Sequence, residues 1–192
     1  MQPRLAQAER GQRTVLFVDA AHFVFGPFLG YLWCLVRPFV AAPSGRKRYN
    51  VLAALDAVTH RVYRVANHSY INAESVCELL GQLAAARLSR PLTLVLDNAR
   101  YQHCQLVESL ARSLKIELLF LPSYSPNLNL IERLWKFVKQ ECLAAKHLET
   151  YETFTGAIDD CLNNLHTRHK SKMATLLTLN FQTFEDEPIL AV

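Results

Sequence analysis

The sequence lacks the cysteine patterns of disulfide-rich and zinc-binding proteins. Its five cysteines are scattered over the 192 residues, and no two of them form a C-x-x-C pair. An odd number of widely spaced cysteines provides neither a disulfide framework nor a zinc knuckle, so we expect reduced, buried thiols. Two histidines invite a zinc hydrolase interpretation, His22 and His103, but neither belongs to an H-E-x-x-H or H-x-H pattern.

Several other motifs are missing. The chain contains no G-x-x-x-x-G-K-[ST], no G-x-G-x-x-G and no G-x-S-x-G, which removes the usual support for nucleotide hydrolysis, dinucleotide binding and an esterase nucleophile. The first thirteen residues are polar and basic, so they do not form a cleavable signal peptide. We therefore expect a cytoplasmic protein.

Long hydrophobic runs are scarce as well. The best candidate for a membrane span covers residues 20–36 and has no charged residue apart from a neutral His22, but it is only 17 residues long and contains Gly26, Pro27 and Gly30. A transmembrane helix needs about 20 apolar residues. Two strands joined by the turn "FGPFLG" fit this segment better, and we expect no membrane span.

What the chain does contain is enough apolar material for a folded domain. Hydrophobic residues make up 51% of the sequence, with ten Phe, seven Tyr and two Trp. A chain of this size and composition buries a core without metal or disulfide support. The net charge is +4 although three acidic residues, 185–187, lie together near the end, so the rest of the chain leans towards polyanionic partners.

Hydrophobic periodicity predicts a mixed sheet covered by helices. "TVLFVD" and "LTLVLD" are short apolar runs that each end in a carboxylate, as buried strands do. "GYLWCLV" and "IELLFLP" read as further strands, and "KRYNVLAALDAVTHRVYRVAN" reads as two strands joined at residues 56–60. Helices are predicted from Asn72, which can cap, after "NARYQHC", and from about Leu130. The resulting order, β-β-β-α-β-α-β-α, indicates an antiparallel start followed by right-handed crossovers.

Three acidic residues stand out against this framework. Asp19 and Asp97 end two predicted strands, where ligand-binding groups of open α/β sheets collect, although an Asp after a strand also commonly caps a helix or turns the chain. Glu132 lies in the first turn of the last predicted helix, where it could instead form a capping box with Asn129. The buried stripe of that helix places Glu132 on its flank; the stripe consists of Ile131, Leu134, Trp135, Val138 and Cys142.

Three carboxylates brought together make chemical sense around divalent metal. Close carboxylates raise one another's pKa unless a cation neutralises them, and oxygen ligands favour magnesium or manganese. Two such ions about 3.5–4 Å apart activate an attacking oxygen and stabilise the leaving oxygen of a phosphodiester. The sequence therefore suggests in-line phosphoryl transfer.

The three acidic motifs carry a family resemblance. Asp19, "VLDNARYQHC" with Asp97 and "LPSYSPNLNLIERLWKFVK" with Glu132, with 34 residues between the last two acids, resemble the DDE transposases of bacterial insertion sequences related to the mariner group. The resemblance runs from about residue 14 to 145 and includes "GRKRYNVLAALDAVT". Two features depart from the family pattern: Ala20 stands where many relatives have Glu, and only 18 residues precede Asp19, too few for the usual helix-turn-helix modules.

The resemblance implies a ribonuclease-H-like, retroviral-integrase-like catalytic domain with a mixed five-stranded sheet. It further implies cleavage of the ends of a mobile element and transfer of the freed 3′-hydroxyl to double-stranded target DNA, at a TA dinucleotide. Asp19, Asp97 and Glu132 would be the catalytic and metal-binding residues for two Mg²⁺ or Mn²⁺ ions. We expect a catalytic domain at residues 14–165, between an N-terminal extension at 1–13 and a tail at 166–192, acting as a homodimer or with a separate helix-turn-helix chain.

Basic residues supply candidate DNA contacts. Arg46, Lys47 and Arg48 form the densest basic cluster, and a solvated loop is the alternative interpretation. Lys136 and Lys139 follow Glu132 along its helix, while Asn98 either orients a phosphate or caps a helix. Two other functions remain open at this point: a structure-selective nuclease or resolvase of the same fold, and a catalytically inactive DNA-binding or assembly remnant.

Overall fold

The fold is described from a computed structural model, which covers residues 1–26, 47–122, 125–144, 146 and 148–181. The predicted strand "GYLWCLV", the turn before it, Arg46, Cys34 and the acidic triplet at 185–187 lie outside the described residues. Within those residues the architecture is one five-stranded sheet with helices on both faces.

The sheet has the strand order β3-β2-β1-β4-β5. β1 pairs antiparallel with β2, and β2 pairs antiparallel with β3, whereas β1, β4 and β5 run parallel. The predicted mixed sheet is thereby confirmed. The strands are β1 (Thr14–Val24), β2 (Arg48–Asp56), β3 (Val62–Asn67), β4 (Leu92–Leu96) and β5 (Ile116–Phe120).

The turn between β2 and β3 lies where the sequence predicts it. The Oδ1 atom of Asp56 accepts hydrogen bonds from the backbone N–H groups of Val58 (2.9 Å) and Thr59 (2.8 Å), which is the local bonding that makes Asp a turn residue. His60 follows with a positive φ of 58°. Asp56 is therefore a structural residue of the hairpin.

Two hydrophobic clusters lie on opposite faces of the sheet. One contains the side chains of α2 and α3, and the other contains those of α1, α4, α5 and α6. The helices are α1 (Gln2–Glu9), α2 (Ala73–Ala85), α3 (Gln105–Ser113), α4 (Ile131–Val138), α5 (Tyr151–Asn163) and α6 (Lys170–Leu176); a 3₁₀ turn (Pro126–Leu128) precedes α4 and a π-helical turn (Lys139–Leu143) follows it.

The helices begin and bury their side chains largely as their sequences dictate. Asn72 caps α2 in a capping box in which its side chain accepts from the Ser75 backbone and the Ser75 side chain accepts from the Asn72 backbone. The predicted stripe of α4 is buried throughout, including Trp135 at 2% exposure and Cys142 in the π-helical turn. Both helices thus dock through the apolar faces that their periodicity predicts.

Three features differ from the simplest interpretation of the sequence. β1 continues five residues beyond Asp19, because its pairing with β2 extends to Val24 opposite Arg48. The segment predicted as an N-terminal extension contains α1, which buries Leu5 and Ala8. The segment predicted as a tail contains α6, which buries Met173. Across the described ranges, no helix is long and apolar enough to span a membrane.

Candidate active site

Asp19 and Asp97 lie side by side on neighbouring parallel strands. Phe17 of β1 is in register with Val95 of β4, so each aspartate stands two residues beyond a paired position. Asp97 directly follows β4, as predicted, whereas Asp19 lies inside β1 and does not end it. Because adjacent strands are about 4.8 Å apart, the two positions are neighbours at the edge where β4 ends.

Glu132 reaches the same place on α4. Three residues before it, the buried Asn129 donates from Nδ2 to the Val18 carbonyl (3.4 Å), and three residues after it, Trp135 donates from Nε1 to Oδ2 of Asp19 (3.0 Å). Residues three apart share a helix face. Side chains on either side of Glu132 in the chain therefore tie this segment to Val18 and Asp19 of β1.

This fastening overturns the capping-box interpretation of Glu132. The N-cap of α4 is Leu130, with no side-chain cap hydrogen bond, because the Asn129 side chain bonds to β1 instead of to its own helix. Glu132 contributes only its backbone N–H, to the Asn129 carbonyl (3.2 Å).

Asp19 interacts electrostatically with the other two acids. Burial is the largest cause that raises the pKa of Asp19, from 3.8 to about 7, and the negative charges of Glu132 and Asp97 raise it further. Hydrogen bonds from the Ala20 backbone and from Trp135 oppose the shift. A buried carboxylate next to two others is costly without a compensating cation.

Tyr101 is a member of this site that sequence reasoning missed. Burial raises the pKa of its hydroxyl to about 12, and the charges of Asp97 and Asp19 contribute to the shift. Its phenol oxygen lies 3.4 Å from Nε2 of the fully buried Gln102. The available signal was its position, four residues after Asp97 in a short connection that must fold back over the sheet edge.

The donor set fits a hard divalent cation. All three acids offer carboxylate oxygens, which magnesium and manganese prefer, and the side-chain oxygen of Asn129 nearby is buried without a hydrogen-bond partner. In the part of the chain that the structure describes, no three His, Cys, Asp or Glu side chains already stand together as a metal-binding group. The acids are thus neighbours whose carboxylates still have to converge on an ion.

The other predicted site residues that the structure describes are all exposed. Asn98 follows Asp97 with a φ of 70°, a left-handed conformation that Asn tolerates; it does not cap α3, whose N-cap is Cys104. Lys136 is exposed on α4, Lys139 is exposed at the start of the π-helical turn, and Lys47 and Arg48 are exposed where β2 begins.

The two histidines are used structurally. His22 bonds through Nδ1 to Oδ1 of the buried Asn50 (2.7 Å). His103 pairs with Glu108 (2.6 Å) and stacks on Phe120, with ring centroids 4.5 Å apart. Neither arrangement provides the ligand set of a zinc hydrolase.

A mixed five-stranded sheet with acids on its two central parallel strands and a third on a covering helix defines the ribonuclease-H-like class. The sequence-family model of the DDE superfamily endonucleases matches residues 7–155. The chain therefore belongs to that family. The resemblance seen in the sequence is thereby confirmed.

Individual relatives agree with this assignment. The "Insertion element IS630 uncharacterized 39 kDa protein" of Shigella sonnei is 27% identical over 128 residues, which cover 65% of this chain and 37% of that protein. The Mos1 mariner paired-end complex with Mn has a TM-score of 0.63 at 17% identity and covers 96% of this chain and 61% of the other. The Mos1 catalytic domain has a TM-score of 0.57 at 17% identity, with 96% and 91% covered. At such identities the structures confirm the fold.

Proposed function

We propose that the chain is the catalytic domain of an insertion-sequence transposase, which cleaves the ends of a mobile DNA element and joins the freed 3′-hydroxyl to target DNA. The observation that carries the proposal is the state of Asp19: a half-buried carboxyl that accepts a hydrogen bond from Trp135 and whose pKa is raised by burial and by the charges of Glu132 and Asp97. Family membership and the likeness to an insertion-element protein support it.

Asp19, Asp97 and Glu132 are the residues that we propose to hold divalent metal, as two Mg²⁺ or Mn²⁺ ions. When bound, such ions activate the attacking oxygen and stabilise the leaving oxygen of a phosphodiester. A Mos1 mariner complex has been solved with Mn and another with Mg, which favours the same cations here.

The chain's own residues prepare that site. Trp135 donates a hydrogen bond to one carboxylate oxygen of Asp19 and so fixes the orientation of that side chain. Asn129 and Trp135 together fix the first turn of α4, so Glu132 is presented from a rigid element, as precise ligand placement requires. The partial burial of Asp19 limits its contact with water and strengthens its own electrostatic interactions.

DNA must lie across this edge for the acids to reach a phosphodiester. We propose that five basic residues neutralise its phosphates: Lys136 on α4, Lys139 directly after it, Lys47 and Arg48 at the start of β2, and Arg46 before them. Asn98, exposed beside Asp97, would orient the phosphate nearest the acids.

The chain spans 37% of the length of the insertion-element protein that it matches. The DNA-recognition and pairing functions of a complete transposase are therefore proposed as well. We infer that residues 14–165 form the catalytic core, flanked by segments 1–13 and 166–192. Recognition of the element ends would then require a helix-turn-helix DNA-binding module, in the same protein or in a separate chain, and pairing of two ends would require a dimer.

The test is magnesium-dependent nicking of duplex DNA by purified protein. Asp97→Asn and Glu132→Gln are each expected to abolish nicking while the circular dichroism spectrum and the unfolding midpoint stay within the range of the wild type. Unchanged nicking by either variant overturns the assignment. A second assay with pre-cut ends measures joining: nicking without joining would indicate a nuclease or resolvase, and neither reaction would indicate a DNA-binding remnant.

A further inference from the structure

A basic and aromatic pocket lies at the far end of β1 from Thr14. Its volume is about 340 Å³, and its lining consists of Lys47, Arg48, His68, Ser69 and Tyr151. The backbone N–H of Phe25, the residue directly after β1, donates a hydrogen bond to the Lys47 carbonyl (2.9 Å). The pocket is therefore beyond Asp19 along the same strand.

The pocket is preformed by hydrogen bonds between its own members. The hydroxyl of Tyr151 donates its single proton to the Arg48 carbonyl (2.6 Å). Since that proton is used, the hydroxyl oxygen accepts from Nδ1–H of His68 at 2.7 Å. The His68 ring also lies 5.5 Å from the ring of Tyr49 and 5.5 Å from that of Tyr151. Because these side chains are already held in place, ligand binding requires little further ordering of them.

Two cationic side chains, those of Lys47 and Arg48, line the pocket. The Nζ atom of Lys47 lies 5.3 Å from the centroid of the Tyr151 ring. Among the ion pairs of the described residues, none involves Lys47 or Arg48, and the nearby Asp159 is already taken by Arg64 (3.1 Å) and the Tyr49 hydroxyl (2.9 Å). Glu152, beside Tyr151, adds one negative charge. The chemistry of the pocket therefore suits a phosphate.

The register of the sheet gives the distance from the acids. Asp19 is opposite Ala53, and Val24 is opposite Arg48, so five residues of extended chain separate the two levels. At about 3.4 Å per residue this is roughly 17 Å. Successive phosphates of one DNA strand advance by about 3.4 Å along the helix axis, and the same span therefore corresponds to about five nucleotides.

We propose that this pocket binds the DNA phosphate that lies about five nucleotides from the phosphodiester at the acids, with His68, Ser69 and Tyr151 completing the contact made by Lys47 and Arg48. The inference rests on the proposed function and adds to it the residues that shape the contact and its position on the substrate. Aromatic rings beside the cations also suit the sugar and base of that nucleotide, because base stacking is tolerant of sequence.

The experiment maps neutral methylphosphonates along a duplex whose magnesium-dependent nicking position is known. For the wild type, a methylphosphonate four to six nucleotides to one side of the nick should weaken binding about tenfold. For the double variant Lys47→Gln/Arg48→Gln the same modification should have no further effect, and the dependence of log K on log salt should become shallower by about two. Tyr151→Phe keeps the ring but removes the two hydrogen bonds that hold the Arg48 backbone and the His68 ring in place, and it should weaken binding about three- to tenfold.

Arg112→Gln/Lys115→Gln is the matched control, since it removes the same charge from exposed residues at the end of α3, on the opposite face of the sheet. It should leave the methylphosphonate profile unchanged. The inference would be overturned if only methylphosphonates next to the nick weakened binding, or if both double variants lost the same affinity for DNA. Magnesium-dependent nicking in the same experiment would still support the proposed function. If Lys47→Gln/Arg48→Gln alone loses affinity for DNA and the protein never nicks DNA, the result would support phosphate binding in the pocket and contradict the proposed transposase function.

Discussion

Asp19→Asn should stabilise the metal-free protein, and the gain should grow with pH. The folded pKa of Asp19 is raised from 3.8 to about 7, so folding favours the neutral carboxyl. The stability that this contributes is complete below about pH 4 and is lost as the pH rises through about 7. A shift of about three units at about 1.4 kcal/mol each corresponds to roughly 4 kcal/mol of cost for the charged form.

Most of that change falls between about pH 5 and pH 8. Over this interval the free energy of unfolding of Asp19→Asn should gain roughly 2 to 3 kcal/mol on the wild type. Urea denaturation in EDTA at both pH values measures the difference. The control is Asn72→Ala, because the cap does not titrate and its loss should cost about 1 kcal/mol at either pH.

Magnesium should reverse the order of stability. Wild-type protein is expected to be stabilised by the ion, by mass action on the folded state, whereas Asp19→Asn should respond weakly. A stability difference between the two proteins that is the same at pH 5 and pH 8, or that shrinks as the pH rises, would refute the account that burial and two neighbouring carboxylates disfavour the charged form of Asp19.

Three further results are expected. Trp135→Phe keeps the ring that packs edge-on to Phe23, at 6.1 Å between centroids, but removes the donor to Asp19; the magnesium concentration for half-maximal nicking should rise about tenfold, and an unchanged value would remove the positioning role. Leu134→Ala, at a fully buried position, should cost about 2–5 kcal/mol in urea denaturation, and a cost under 1 kcal/mol would show that α4 is not firmly docked. Glu132→Gln should leave stability near wild type while abolishing nicking, and an unfolded variant would assign Glu132 a structural role instead.

Features of the fold that depend on local sequence patterns could be predicted from the sequence, whereas features that depend on long-range contacts could not. The stripe of α4, the cap at Asn72 and the turn at Asp56 depend on neighbours within a few residues, and all were predictable. The extension of β1 past Asp19 was not, since it depends on pairing with β2, whose Arg48 is 24 residues from Val24. The sequence placed Asp97 correctly because β4 has no partner beyond its end.

The candidate site shows the same division. Family resemblance pointed to Asp19, Asp97 and Glu132, but nothing local predicted that Trp135 bonds to Asp19, 116 residues away. Trp135 reads as core from its helical spacing, and it is core; the indole N–H additionally contacts the acid. Asn129 reads as a cap but bonds across 111 residues to Val18, because burial against β1 takes its side chain away from the helix.

The central claim is that three acids share one cation site, and Mn²⁺ binding to purified protein tests it most directly. Electron paramagnetic resonance of free Mn²⁺ during titration measures binding without DNA or turnover, and Asp160→Asn, which removes an exposed carboxylate of α5, is the control. The account predicts that Asp19→Asn, Asp97→Asn and Glu132→Gln each weaken Mn²⁺ binding at least tenfold while Asp160→Asn does not. Wild-type affinity in any one of the three acid variants would contradict it.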